Sequence, residues 1–164
     1  MNKAILWGVV AGASGTIALD IATYADMALR GRPSSSTPAK LVGVLADKVG
    51  LPALGSGATD EKASNRRSGV GALLGYVTGL SVGTAYALAR EEIDEVPTAL
   101  AGIGLGLAAM AASDIPIAAS GVSDPRTWAV ADWAADLIPH LIYGLVTVAV
   151  YEALSRDAGG RQQM

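Results

Sequence analysis

The side chains in this sequence that could do chemistry lie mostly inside long apolar stretches: Asp20, Asp114, Asp132, Asp136, His140 and Tyr143. Asp132, Asp136 and His140 fall at i, i+4 and i+8, so on a helix they share one face, with Tyr143 one turn further on. Two carboxylates and an imidazole in file can hand a proton along, because histidine titrates near neutrality. The same groups could take a hard or borderline divalent cation through carboxylate oxygens from several helices. Which metal, if any, is unknown from the spacing. Pro116 and Pro139 sit beside this level, and each frees a backbone carbonyl that could line a cavity. Two other readings stand next to these. Arg30, Arg66 and Arg67 could neutralise the acids in a purely structural network, or the cluster could receive a ligand or a lipid headgroup.

Signatures of catalysis are missing. The sequence has one histidine, no H-E-x-x-H, no nucleophile elbow and no phosphate-binding glycine loop before a helix. Gly12-Ala13-Ser14-Gly15 has the outline of a serine elbow, but it lies within an apolar run and has no partner base. Cysteine is absent altogether, which excludes disulfides, thiolate metal sites and cysteine nucleophiles. The chain therefore reads as a non-enzyme, with no catalytic residue and no cofactor. A net charge of -3 gives no reason to expect a nucleic-acid partner.

The elements that hold the Asp/His residues follow from hydropathy. Only 16% of residues are charged, against about 25% in ordinary soluble proteins, and the mean hydropathy is +0.40. A helix needs about 20 mainly apolar residues to cross a bilayer. Four segments meet that requirement, at about 4–29, 69–89, 97–118 and 129–154. The expected fold is all-α: an integral membrane bundle of four transmembrane helices over residues 1–156, with a flexible tail at 157–164. The first segment resembles a signal peptide in its opening residues. Its apolar run continues to Ala25, and Arg30 and Arg32 follow it, so an uncleaved helix is expected.

Loop 30–68 joins the first two helices. Within it Thr37-Pro38 reads as an N-cap and first helical position. Leu41, Val42, Leu45 and Val49 then recur on one face, so a short amphipathic helix over about 38–49 is expected. It would lie either on the membrane surface or over the mouth of the bundle. Lys and Arg counts orient the whole: eight on the side of loop 30–68 and Arg126, four on the other. The long loop is then cytoplasmic and both termini are outside. Trp7, Tyr86, Trp128, Trp133 and Tyr151 near helix ends read as interfacial aromatics.

Depth can be compared along each helix. Asp20 lies about six residues, roughly 9 Å, past the middle of its segment at the helical rise. Asp114 lies equally far past the middle of the third, and Asp136 as far before the middle of the fourth. Alternating helix direction brings all three to one level, on the long-loop side. A charge there costs about 2.5–3.5 kcal/mol on insertion scales, so these residues are expected to face protein or water.

Small residues set the packing. Gly71, Gly75, Gly79 and Gly83 line one face of the second segment at four-residue spacing, with matching pairs at Gly8 and Gly12 and at Gly102 and Gly106. Such faces let helix backbones approach closely, either within the bundle or between copies. The expected partners are the lipid bilayer and the protein itself or another membrane protein.

The opening Gly8-Val9-Val10-Ala11-Gly12-Ala13-Ser14-Gly15-Thr16 and the closing Pro139-His140-Leu141-Ile142-Tyr143-Gly144-Leu145-Val146 resemble small bacterial multi-pass proteins of the YagU-like kind. The resemblance covers the two end helices. It implies a four-helix protein of the bacterial inner membrane, of uncharacterised function with a suggested link to acid tolerance, and it transfers no site residue. Two functional expectations result. One is a non-enzymatic accessory or self-associating membrane protein, and the other is a proton or cation conduit or sensor built on the Asp/His cluster.

Overall fold

The structure is a computed structural model that describes residues 3–90 and 96–160, with side chains to Arg156. Five α-helices and one 3-10 turn occur among the described residues, and no strand does. They are α1 (Lys3–Arg30), α2 (Thr37–Lys48), α3 (Glu61–Arg90), α4 (Thr98–Ala119), the 3-10 turn Pro125–Thr127 and α5 (Val130–Gly160). By length and composition, α1, α3, α4 and residues Val130–Arg156 of α5 can each cross a membrane. The acidic run 91–95 and the end of the expected tail, 161–164, lie outside the described residues; the start of that tail is helical, because α5 continues to Gly160.

Local signals explain the boundaries. Asp60 caps α3, its Oδ1 accepting from the Ala63 N–H at 3.0 Å, so the helix begins in the polar segment ahead of the apolar one. Asp132 does the converse at α5, its carboxylate accepting from the Ala129 N–H at 3.0 Å. Gly121, at φ +73°, closes α4: its N–H reaches the Ala118 carbonyl and the Val122 N–H reaches Ile117. Gly50 closes α2 in the same way. Two expected starts move by one residue. Ser36 rather than Thr37 precedes α2, and Pro97 precedes α4 rather than opening it.

α1 and α5 are the inner pair. α3 packs on α1, α4 packs on α5, and the seam between α3 and α4 is the loosest in the bundle. α2 lies against the start of α3 at the end of the bundle that also holds the α4–α5 turn. Its buried residues are Val42, Gly43 and Ala46, whereas Leu45 and Val49 of the expected stripe are exposed. The covered face is the one that small residues flatten against α3.

The glycines work inside the chain. A Cβ on Gly83 would lie 2.5 Å from the Gly12 Cα, one on Gly12 would lie 2.7 Å from the Gly79 carbonyl oxygen, and one on Gly8 2.7 Å from the Thr84 Cα. Gly106 likewise meets the His140 carbonyl oxygen at 2.6 Å. Gly71 faces α2, where Pro38 stands 3.0 Å away, and only Gly75 of the α3 series has nothing within 4 Å. Apart from that one position, the α3 glycine face is covered by α1 and α2.

Of the expected interfacial aromatics, Tyr151 is a core residue and Tyr86 packs partly buried beside it. Tyr151 is buried, makes an edge-to-face pair with Tyr86 at 5.5 Å, and packs beside Trp7, Ala11 and Ala87. Its hydroxyl donates to the Ala87 carbonyl at 3.3 Å. Trp128 and Trp133 pair with each other at 5.1 Å near the start of α5.

Two alanine substitutions separate contact from helix propensity. Gly83→Ala must push α1 off α3 and should cost about 1–3 kcal/mol as overpacking. Gly75→Ala meets open space and should gain up to about 1 kcal/mol of helix propensity. Thermal unfolding in detergent reads both, and equal melting temperatures would contradict the packing described.

Candidate functional site

Glycine contact between α1 and α3 holds from Gly8 as far as Thr16 and Gly79, and there it stops. Beyond that level a cavity of about 550 Å³ opens toward the long-loop end, with walls from α1, α2, α3, α4 and α5. Its floor is formed by Thr16, Gly79, Ala109, His140 and Tyr143. Ser34, Ser35 and Ser36 before α2, and Ser64 and Ser68 of α3, lie toward its mouth, with Thr23, Thr78 and Ser113 along the walls. Hydroxyls at these positions can hold water without fixing a charge.

Asp20 lines this cavity from α1. Its carboxylate accepts from the Tyr76 hydroxyl of α3 at 3.0 Å, a direct bridge across the gap between the two helices. Tyr24, one turn after Asp20, also lines the space.

His140 stands where the cavity meets the acids of α4 and α5. Its Nδ1 is 2.8 Å from the Asp136 backbone carbonyl and 3.3 Å from the Asp136 Oδ1. Asp114 of α4 lies near the Asp136 carboxyl and His140. The Asp136 Oδ2 is buried and has no donor. Two carboxyl groups close together, one with a buried oxygen that no protein donor reaches, can bind a proton between them. The His140 ring is 13% exposed, and Nδ1 makes its hydrogen bond within α5, so Nε2 is the nitrogen left to exchange a proton with the cavity.

The arginines do not supply the missing charge. Arg30 and Arg32 both bind Asp26, at 2.7 and 2.5 Å. Arg67 donates to the Gly55 and Ala58 carbonyls at 2.8 and 2.9 Å and so holds the loop before α3. Among the described residues no Lys or Arg forms an ion pair with Asp20, Asp114 or Asp136. Metal chemistry gains no support either: among those residues no group of three or more His, Cys, Asp or Glu side chains is placed to hold an ion.

The six expected site residues therefore divide. Asp114, Asp136 and His140 come together. Asp20 shares the cavity with His140 but binds Tyr76. Asp132 is exposed and spent on the α5 cap, and Tyr143 is 1% exposed and donates its hydroxyl to the Gly79 carbonyl at 2.6 Å. Tyr76, Tyr24 and the serines escaped the sequence reading. Tyr24 carried a signal, since its spacing from Asp20 places the two on one helix face. Tyr76 carried none, because only the α1–α3 register pairs it with Asp20. Compared with protein-family models, curated proteins and solved structures, the chain matches none.

The absence of native cysteine makes the cavity directly testable. Ser68→Cys and Ser113→Cys should react quickly with a membrane-impermeant cationic thiol reagent, whereas Leu73→Cys and Val77→Cys on the outer face of α3 should react slowly. Equal rates at all four positions would mean that the cavity holds no water.

Proposed function

We propose that this is a small multi-pass protein of the bacterial plasma membrane that takes up protons from the long-loop side onto the Asp114–Asp136–His140 group. Membrane insertion is supported by a bundle turned inside out relative to a water-soluble one. Ile17, Ile21, Leu73, Val77, Leu100, Ile115 and Ile138 are all more than half exposed, while Thr16 and Thr147 are buried. Covering four such helices with lipid removes the cost of that apolar surface. The balance of Lys and Arg places the long loop in the cytoplasm.

The observation that carries the proton reading is the buried, donorless Asp136 Oδ2 beside a second carboxyl, reached from a polar cavity through His140. A proton suits this arrangement better than a metal, which needs more ligands than are gathered there. Beyond the group, the Tyr143 hydroxyl is committed to Gly79 and Val148 is fully buried. The accessory reading would need a free glycine face, and only Gly75 of that series is open.

Reconstitution in liposomes loaded with a pH dye tests the proposal. Wild type should dissipate an imposed pH gradient faster than empty liposomes, and Asp136→Asn and His140→Gln should fall to the empty-liposome rate with unchanged circular dichroism. An Asp136→Asn protein that conducts like wild type and differs only in thermal stability would make the group structural.

A further inference from the structure

The cavity is much larger than proton delivery requires. A file of single waters would serve a proton, yet about 550 Å³ has room for roughly eighteen waters at ~30 Å³ each. That volume lies within the ~300–1,000 Å³ range of small-molecule sites.

Its chemistry is specific. Among the described residues no Lys or Arg forms an ion pair with the Asp20 carboxylate, and the Tyr76 hydroxyl gives it a hydrogen bond but no countercharge. A carboxylate in a cavity with no Lys or Arg beside it favours a cation that enters. Tyr24 lies one turn after Asp20 on α1 and Tyr76 faces Asp20 from α3, and both partly exposed rings line the same cavity. Aromatic rings beside a carboxylate are the setting in which ammonium groups bind, through the ring quadrupole as well as the charge. The remaining walls offer hydroxyls from Thr23 and Ser68, which suit the polar end of such a molecule. A bare divalent ion fits poorly, since one carboxylate and neutral hydroxyls do not make its ligand set.

We infer that the Asp20–Tyr24–Tyr76 part of the cavity binds a small organic cation carrying an ammonium group. The inference rests on the membrane reading of the four helices but not on the proton group deeper in the bundle. The ammonium can arrive on a free amine or on a lipid headgroup, and the two sources share the same contacts. The loose α3–α4 seam and the mouth beside α2 give each a route.

The probe is choline, compared with its uncharged isostere 3,3-dimethylbutan-1-ol, on the full-length protein in a detergent without amine groups. Choline should raise the melting temperature in a saturable way and the isostere should not. Asp20→Asn should weaken the choline response at least about tenfold, a loss of ~1.4 kcal/mol. Tyr24→Leu keeps the bulk but removes the ring and should weaken it further. In nanodiscs, retention of phosphatidylethanolamine over phosphatidylglycerol by wild type but not by Asp20→Asn assigns the ammonium to lipid; its absence with a choline response assigns it to a free amine. Equal responses to choline and the isostere, or an unchanged response in Asp20→Asn, overturn the inference. So does the lack of any Asp20-dependent binding of choline or phosphatidylethanolamine, which would leave Asp20 holding a proton only. Ammonium binding that survives in Asp136→Asn separates this site from the proton group, whichever way the flux assay falls.

Discussion

Backbone contact between α1 and α3 at Gly8, Gly12, Gly79 and Gly83 is the constraint on which the rest of the structure depends. Helices without side chains at the interface approach until main chain meets main chain, and dispersion over that short distance holds them. Bulkier residues follow toward the long loop, and the contact gives way. Thr16, Asp20 and Tyr24 on one helix face Gly75, Tyr76 and Ser68 on the other, and the space between them is the cavity. Pro38 of α2 reaches Gly71 at its edge, so the same glycine series that closes the bundle at one end seats the covering helix at the other. On the far side, Gly102, Gly106 and Gly144 draw α4 onto α5 and bring Asp114 beside Asp136.

Charge placement follows from that shape. Carboxylates outside the cavity region have been given partners: Asp26 has two arginines, Asp124 has Arg126, Asp47 binds Ser56 and Asp132 caps a helix. At the cavity and behind it the partners are Tyr76 for Asp20 and His140 for Asp136, and among the described residues no arginine pairs with either. Arg67 is held by loop carbonyls instead of reaching inward. Ionisable groups kept uncompensated at such depth are costly to stability.

Much of the scaffold was legible in the sequence, because helices are local. Hydropathy placed four long segments inside or within a residue of α1, α3, α4 and α5, with α3 starting eight residues earlier and α5 ending six later than expected. The glycine spacing showed which faces were thin but not what covered them, since the choice between α1 and a second copy is a tertiary matter. Spacing also grouped Asp132 with Asp136 and His140, although a first-turn carboxylate has the N-cap amide within reach and is used there. Tyr86 and Tyr151 stood near helix ends like interfacial residues, yet their rings fill the space above the Gly8–Ala87 contact. The Asp20–Tyr76 bond joins residues 56 positions apart, and no local pattern announces such a pair.

On the function proposed, Asp114 and Asp136 would share a proton that exchanges with water through His140. Infrared difference spectroscopy on the reconstituted protein tests it most directly. The account predicts a protonated-carboxyl band that shifts promptly on transfer to D2O, and that is lost or displaced in both Asp114→Asn and Asp136→Asn. A spectrum with no such band, or a band that stays unshifted through long exposure to D2O, would contradict it: the first means that both acids are fully charged, and the second that the pair is sealed from the cavity.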